Sequence, residues 1–306
     1  MGIGNPVAIS AEHGVGMGDL WDALEPHLPV FEEDEARPER AGGQIPVAVI
    51  GRPNVGKSSL VNRLLGDERL LVTEVAGTTR DAVDTILEKD GVRYQFVDTA
   101  GIRRKGRTDR GPEVLSVVMA RRYLERADLC LLVVDAEEGI TNQDAHVGGY
   151  AWEAGRGMIL VVNKWDLVTD RLQGRERIED QVGQHLKFMR HSPRIYLSAL
   201  NGKGVHRLFP AMRDLHRAFR TRISTNDLNR LIRTAWERRP PPMAGRKAPR
   251  IYYCSQVHYG PPHLVLFTNL LKSPHFSYVR YLENVLREAL GLDGVPIRVM
   301  IRGRQS

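Results

Sequence analysis

Residues 45–66, IPVAVIGRPNVGKSSLVNRLLG, carry the most informative pattern in the 306-residue chain. The apolar run up to Ile50 is typical of a buried strand. After a glycine-containing loop, Leu60, Leu64 and Leu65 fall near one face of a helix. This stretch therefore predicts a strand, a loop and a helix in immediate succession.

The loop inside this stretch matches the phosphate-binding pattern at Gly51, Gly56, Lys57 and Ser58. In that pattern, successive backbone N–H groups and a helix N-terminus converge on polyphosphate oxygens. We expect Lys57 to neutralise the β- and γ-phosphates and Ser58 to hold Mg²⁺. The strand before the loop and the helix after it are the context that this chemistry requires.

Charge is unevenly distributed along the chain. From Gly202 to the end there are 19 lysines and arginines against 6 aspartates and glutamates, whereas residues 1–201 hold 25 against 31. The net charges are therefore −6 for the first part and +13 for the last. A basic C-terminal module predicts nucleic acid as its partner, with a merely solvated basic surface as the alternative.

Only two cysteines are present, Cys130 and Cys254, and both lie inside apolar, strand-like runs. Their predicted state is a free, buried thiol in a reducing compartment, because no spaced cysteine or histidine cluster supports a disulfide or a metal site. No apolar run has the length needed to cross a bilayer, and no signal region follows Met1. We therefore expect a cytoplasmic protein.

Strands and helices alternate between residues 45 and 222. The predicted strands are Val47–Ile50, Thr85–Leu87, Tyr94–Asp98, Leu129–Asp135, Met158–Asn163 and Ile195–Ser198. The predicted helices are Ser58–Leu65, Pro112–Arg126, Asn142–Ala154, Arg175–Met189 and Val205–Phe219. This order indicates an α/β fold, a mostly parallel sheet with helices on both faces and ligands at the carboxyl ends of its strands.

The pattern changes after Arg222. A helix at Thr225–Arg238 is followed by strands at Ile251–Val257 and His263–Thr268, a helix at Phe276–Leu290 and a strand at Ile297–Ile301. This order predicts a small α-β-β-α-β unit, and the unit coincides with the excess of positive charge.

Two polar segments predict the rest of a metal and phosphate site. Asp98 ends a predicted strand and begins the sequence DTAG, where a carboxylate reaches Mg²⁺ through water and the N–H of Gly101 meets the γ-phosphate. In the earlier segment GTTRD, the hydroxyl of Thr79 is expected to close the Mg²⁺ shell, with Thr78 as the alternative.

The tetrapeptide Asn163-Lys164-Trp165-Asp166 predicts which base is bound. The Asp166 carboxylate can accept the ring N–H and the exocyclic amine of guanine, whereas adenine offers a different edge. Asn163 is expected to tie this loop to the phosphate loop, and the stem of Lys164 can lie over the base. In the later segment 198–200, SAL, a backbone N–H can meet the guanine oxygen.

Taken together, GRPNVGKS, GTTRD, DTAG, NKWD and SAL resemble the translation-factor-like GTPases of the EngA (Der) group, with Era and MnmE as cousins. The segment SAEHGVGMGDL near the N-terminus resembles the last guanine-contact loop of another GTPase domain. The resemblance implies tandem GTPase domains and a KH-like domain. It divides this chain into a C-terminal remnant of a first GTPase domain (1–31), an acidic linker (32–44), a P-loop GTPase domain (45–222) and a small α+β KH-like domain (223–306).

The resemblance also implies the site residues. Catalytic roles fall to Lys57, Asn54 and Thr79. Mg²⁺ is expected at Ser58, Thr79 and Asp98, and K⁺ beside the phosphates at Asn54. The implied contacts to GTP or GDP are Gly51, Arg52, Pro53, Asn54, Val55, Gly56, Lys57, Ser58, Ser59, Asp98, Thr99, Ala100, Gly101, Ile102, Asn163, Lys164, Asp166, Ser198, Ala199 and Leu200.

Hydrolysis needs a group that orients water, and Ile102 stands where many small GTPases place a glutamine. An isoleucine cannot orient water, so hydrolysis must rely on backbone groups, a residue elsewhere or an ion, and we expect slow intrinsic turnover. The resemblance implies that the ion is K⁺, which would stand in for the positive charge of an arginine finger. The basic cluster after DTAG lies in a loop expected to reorder with the nucleotide, and it presents positive charge either to RNA or to solvent. Its members are Arg103, Arg104, Lys105, Arg107 and Arg110.

The function implied is a GTP-hydrolysing factor in biogenesis of the large ribosomal subunit, with the nucleotide state controlling contact with rRNA. One alternative is a non-catalytic GTP-dependent binding module. Another is a tRNA-modifying GTPase of the MnmE kind, which would end in a cysteine motif, whereas this chain ends IRGRQS. A third is an Era-like factor with a GxxG clamp; here GLDG, residues 291–294, is predicted to be a turn that ends a helix.

Overall fold

The computed structural model describes residues 6–8, 10, 43–66, 71–76, 83–97, 124–241, 249–270 and 274–303. The chain divides into two compact units. The first contains the described residues of 39–219 together with Asp293–Pro296, and the second contains those of 220–292 and 297–303, with the few described residues near the N-terminus.

The first unit is built on a seven-stranded sheet with the order β2-β3-β4-β1-β5-β6-β7. Strands β4, β1, β5, β6 and β7 are parallel, and β2 and β3 are antiparallel at one edge. The predicted mostly parallel sheet is therefore confirmed. The strands are β1 Gln44–Ile50, β2 Leu71–Ala76, β3 Val83–Lys89, β4 Val92–Phe96, β5 Leu129–Asp135, β6 Gly157–Asn163 and β7 Arg194–Tyr196.

One strand of this sheet was not predicted from the sequence. β2 pairs with β3 from Leu71↔Glu88 to Ala76↔Val83. The turn between β3 and β4 is Asp90-Gly91, both with positive φ, which matches the twist of a two-residue hairpin.

The helices of the first unit are α1 Lys57–Leu65, α2 Asn142–Glu153, α3 Arg171–His185 and α4 Leu208–Phe219, with 3₁₀ turns at Lys187–Met189 and Val205–Arg207. The predicted start of α3 at Arg175 is wrong. Asp170 caps that helix, because its side chain accepts from the N–H groups of Leu172 and Gln173, both at 3.0 Å. Of the helix predicted at 112–126, only residues 124–126 are described, and they are helical.

The central strands are buried on both faces. On one face, Cys130, Leu132 and Val134 of β5 share a core cluster with Ile178 and Val182 of α3. α4 packs against β5 and β6, where Gly157 leaves the space that Leu129 and Leu215 fill. Because β5 and β6 are covered on both sides, their apolar runs are continuous rather than alternating.

The two cysteines are free and buried, as predicted. Burial raises the pKa of the Cys130 thiol to about 12, so it remains protonated at neutral pH. Among the helices that the structure describes, none combines the length and the apolar character needed to cross a membrane.

The second unit has the predicted α-β-β-α-β order. Its elements are α5 Thr225–Arg238, β8 Ile251–His258, β9 His263–Thr268, α6 Phe276–Leu290 and β10 Arg298–Gly303. β9 is the central strand, antiparallel to β8 and parallel to β10. α6 ends at Gly291, whose φ of 62° is left-handed and whose N–H donates to the Arg287 carbonyl, so the predicted helix-ending turn is confirmed.

Asn229 fastens α5 to the sheet of this unit. Its Oδ1 accepts from the Cys254 N–H at 2.7 Å, and its Nδ2 donates to the Cys254 carbonyl at 2.9 Å. Both residues are buried. The amide thus satisfies two backbone groups of β8 that have no access to water.

We predict that Asn229→Ala lowers the free energy of unfolding of the second unit by about 2–4 kcal/mol, since both Cys254 backbone groups lose their partner while buried. Urea denaturation of the full chain measures this change. Arg233→Ala, at an exposed position on the same helix, is the control and should leave the free energy within about 0.5 kcal/mol. Equal destabilisation by the two variants would contradict the role given to Asn229.

Candidate functional site

The loop between β1 and α1 has a backbone that only certain residues can adopt. Gly51, Asn54 and Gly56 have φ values of 146°, 64° and 93°. A Cβ on Gly51 would meet the carbonyl oxygen of Val133, and a Cβ on Gly56 would meet the side-chain amide of Asn163. Both glycines are therefore required twice over, by their φ and by close approach.

Helix α1 begins directly after this loop, at Lys57, and no side chain caps its N-terminus. The Lys57 ammonium donates to the Arg52 carbonyl at 2.7 Å, which holds the lysine inside the curve of the loop. An uncapped helix N-terminus beside a lysine favours an anionic ligand, because the backbone N–H groups and the helix dipole add to the ammonium charge.

Asn163, the last residue of β6, joins three segments through one buried amide. Its Nδ2 donates to the Val55 carbonyl at 2.8 Å, and its Oδ1 accepts from the Ala199 N–H at 2.9 Å. The predicted tie between the 163–166 loop and the phosphate loop is therefore present. The Ala199 N–H is one of the backbone groups of 198–200 that could have met the guanine oxygen, but it already donates to Asn163.

The rest of the 163–166 loop is held by its neighbours. Lys164 has a φ of 60° and pairs with Asp135 at 2.5 Å. Trp165 is buried. Its backbone N–H donates to the Leu197 carbonyl at 3.0 Å, and the centroid of its ring lies 4.5 Å from that of Tyr196. Asp166 itself is exposed. These contacts hold the backbone of the loop and leave the Asp166 carboxylate at the surface.

Asp135 keeps its negative charge although it is buried. Burial by itself raises the pKa of this carboxyl, but the hydrogen bond from Lys164 and those from the N–H groups of Glu137 and Glu138 outweigh it, so the net shift of the pKa is downward. Asp135 pairs with Asn163 in the register of β5 and β6. The two polar residues therefore end neighbouring strands at the same edge of the sheet, where a ligand is expected.

A second ion cluster supports the phosphate loop from the other side. The Arg52 guanidinium pairs with Glu138, and its Nε lies 3.3 Å from the carboxylate of Asp144. Asp144 is fully buried and forms a capping box with Thr141 at the start of α2. Burial lowers the pKa of Arg52, but these carboxylates more than offset it, so the pKa is raised.

The 198–200 loop is tied to α1. The Arg63 side chain donates to the carbonyl of Ala199 at 3.1 Å and also to that of Leu200. Ser198 is buried, and Leu200 is 77% exposed. Arg63, Asp135 and Asp144 were not predicted from the sequence. Asp135 has a local signal, a charged residue that ends an apolar strand, whereas Arg63 has none.

Several predicted site residues lie outside the part of the chain that the structure describes. β4 ends at Phe96, two residues before Asp98. The residues outside the described part of the chain are Thr78, Thr79, Asp98, Thr99, Ala100, Gly101, Ile102, Arg103, Arg104, Lys105, Arg107 and Arg110. The structure therefore brings together the phosphate loop and the segments 163–166 and 198–200 from the predicted set.

Two family models match the chain. Residues 46–164 match "50S ribosome-binding GTPase", and residues 222–302 match "KH-domain-like of EngA bacterial GTPase enzymes, C-terminal". Among solved structures, the chain is similar to Era in complex with MgGDPNP and 16S ribosomal RNA, with a TM-score of 0.42 and 20% identity over 85% of this chain and 92% of that one. The G domain of T. maritima FeoB gives a TM-score of 0.38 at 23% identity, covering 56% and 98%.

Curated relatives give the stronger match. GTPase Der of Pelotomaculum thermopropionicum is 47% identical over 302 residues, which is 99% of this chain and 68% of that protein. GTPase Der of Bacillus cytotoxicus is 44% identical over 304 residues, covering 99% and 69%. With this similarity along nearly its whole length, the chain belongs to the GTPase Der (EngA) family, and it binds guanine nucleotide and hydrolyses GTP.

Proposed function

We propose that this GTPase acts in the biogenesis of the large ribosomal subunit and that its nucleotide state controls its association with rRNA. The observation that carries the nucleotide part is the Asn163 amide, which couples the phosphate loop to the loop expected to read the base. The family description "50S ribosome-binding GTPase", matched over residues 46–164, supports the partner. The 19 basic against 6 acidic residues from Gly202 onward add charge suited to RNA.

We also propose the division of the chain that the resemblance implies. Residues 45–222 form the GTPase domain and 223–306 the KH-like domain, while 1–31 correspond to the end of a first GTPase domain and 32–44 to a linker. Support comes from the two family models, whose matches fall at 46–164 and 222–302. Almost all of 1–44 lies outside the described residues.

The proposed phosphate site follows the described loop. Its contacts are Gly51, Arg52, Pro53, Asn54, Val55, Gly56, Lys57, Ser58 and Ser59, joined by the segment from Asp98 to Ile102. The uncapped start of α1 and the inward-held Lys57 suit a triphosphate, because both place positive potential where its charge develops during hydrolysis. Mg²⁺ would neutralise the β- and γ-phosphates and would be held by Ser58, Thr79 and Asp98.

The proposed base site uses the exposed Asp166, with Lys164 beside it and the 198–200 loop opposite. The Lys164–Asp135 pair holds the lysine stem at the strand edge, so that the stem can cover the base. Asp166 accepts two hydrogen bonds from guanine, and as a charged acceptor it makes them strong. Specificity for guanine is thus assigned to the Asp166 carboxylate, and the neighbouring Trp165 anchors the backbone of this loop.

We expect Asp166→Asn to weaken guanine nucleotide binding roughly 100-fold, because the amide N–H₂ faces the exocyclic amine of guanine as donor against donor. Xanthine carries an oxygen at that position, so the same variant should gain affinity for xanthosine nucleotides. Competition against a fluorescent nucleotide measures both affinities. Asp170→Asn, at the cap of α3, is a matched control that should leave the preference for guanine unchanged.

A lower affinity for guanine nucleotides without a higher affinity for xanthosine nucleotides would contradict the base-reading role of Asp166. Loss of both affinities together with an altered unfolding midpoint would instead mark Asp166 as a structural residue.

The proposed catalytic residues are Lys57, Thr79 and Asn54. Ile102 cannot orient water, so the transition-state charge must be met by other groups. We propose that K⁺ binds beside the phosphates at Asn54, which is exposed on the loop and held at a positive φ. Such an ion would supply positive charge in the place that an arginine takes in other GTPases.

For this cation we predict single-turnover GTP hydrolysis at least roughly tenfold faster in KCl than in NaCl of equal ionic strength. Asn54→Gly keeps the backbone freedom that a φ of 64° requires and removes the side-chain amide, so it should lose the difference between the salts while still binding GTP. Equal turnover of the unaltered chain in the two salts would eliminate the K⁺ site.

Co-sedimentation with purified large subunits tests the proposed function. We expect association to differ by roughly fivefold or more between a non-hydrolysable GTP analogue and GDP, the range of a typical coupling between two sites. Lys57→Ala should bind subunits equally in the two conditions, because it no longer senses the γ-phosphate. Equal association of the unaltered chain with subunits in the GTP analogue and in GDP would remove the nucleotide switch.

A further inference from the structure

The sheet of the second unit has two chemically different faces. One face carries the buried side chains of Cys254 and Leu266, and the helices α5 and α6 pack against β8 and β10. Side chains of the other face, which we call the outer sheet face, fall in three rows across β8, β9 and β10. The rows are His258–His263–Arg298, Ser255–Val265–Met300 and Tyr253–Phe267–Arg302.

Two of these rows present paired rings. Tyr253 and Phe267 are stacked, with ring centroids 4.5 Å apart and an interplanar angle of 14°. The rings of His258 and His263 lie 4.8 Å apart at 31°. All four residues are partly exposed. Since the two rows lie four residues apart along β9, they are separated by about 13 Å.

The third position in each of these rows is an exposed arginine of β10, Arg298 or Arg302. Between them lies Met300, which is 54% exposed. None of the nine residues in the rows is acidic. The outer sheet face therefore combines aromatic rings, an apolar centre and positive charge at one edge.

His263 contributes a ring rather than charge at neutral pH. Burial, with a smaller effect from the charges of His258 and Arg298, lowers the pKa of His263 to about 4. His263 is therefore neutral at pH 7, and the exposed Arg298 brings positive charge to that row.

We propose that the outer sheet face binds single-stranded RNA, with bases stacking on the Tyr253–Phe267 pair and phosphates meeting Arg298 and Arg302. The proposal rests on the proposed association with rRNA and names a surface for it. Ring faces accept any base, and arginines pair with phosphates, so aromatic and basic side chains on one surface suit single strands. A duplex keeps its bases stacked on one another and does not offer them to a sheet.

This surface differs from the GxxG clamp of RNA-binding KH domains. Here the GLDG string lies at the end of α6, and its first glycine ends the helix rather than linking two helices. The outer sheet face offers instead a stacking platform of the kind that sheet-based RNA-binding modules use.

Fluorescence anisotropy with labelled oligouridylate and oligoadenylate, each about 12 nucleotides long to span one binding surface, tests the stacking. In the full chain, Tyr253→Leu and Phe267→Leu keep apolar volume but remove the π face, so each should weaken binding roughly tenfold. Phe276→Leu is the matched control, because Phe276 is 60% exposed and has the Arg280 guanidinium 5.2 Å from its ring, but lies on α6. It should bind as the unaltered chain does.

The salt dependence tests the phosphate contacts. Arg298→Gln and Arg302→Gln should each reduce the slope of log affinity against log salt concentration by about 0.7, the value for one phosphate contact on a single strand. Arg233→Gln, exposed on α5, should leave the slope unchanged. Both substituted arginines are exposed, so these variants remain folded and keep the test valid if an aromatic variant lowers the unfolding midpoint.

The proposal is overturned if the chain does not bind the oligonucleotides at low salt, or if the four surface variants bind them as the control variants do. Variants that lose co-sedimentation with subunits but keep oligonucleotide affinity would assign the face to a protein partner and also overturn it. Failure of the proposed function is separate: the unaltered chain would bind oligonucleotides through this face but would not bind large subunits in any nucleotide state.

Discussion

The first unit depends on the two hydrogen bonds of the Asn163 side chain. One amide donates to Val55 and accepts from Ala199, residues 108 and 36 positions away in sequence. Because the amide is buried, any side chain that could only donate or only accept would leave a backbone group unsatisfied at a cost of about 1–3 kcal/mol. The same close contact excludes a Cβ at Gly56, so the 163–166 loop and the loop between β1 and α1 constrain each other.

The charged side chains near Asn163 form ion pairs. Asp135 is matched by Lys164, and Arg52 by Glu138 and Asp144, so that each buried charge has an opposite partner. Breaking such a pair by removing one partner is costly because the other stays buried and unpaired. Asp166, in contrast, is exposed, which suits the contact to guanine proposed for its carboxylate.

The second unit divides its sheet between stability and surface chemistry. One face is buried, and Asn229 ties the sheet to α5 through the backbone of Cys254. The other face carries the stacked rings and the arginines. Alternation along each strand makes this division possible, since neighbouring residues point to opposite faces.

The local sequence pattern was sufficient to predict much of the secondary structure of this protein. The run 45–66 alone predicted β1, the phosphate loop and α1, because a strand, a glycine loop and a helix each leave a short-range signature. The helices at Thr225–Arg238 and Phe276–Leu290 were predicted with their observed bounds. The pairing of β2 with β3, the contacts of Arg63 and the Arg52–Asp144 pair were decided only by the tertiary structure. They join segments far apart in the chain, and nothing in the local sequence of either partner records which distant backbone or charge it will meet.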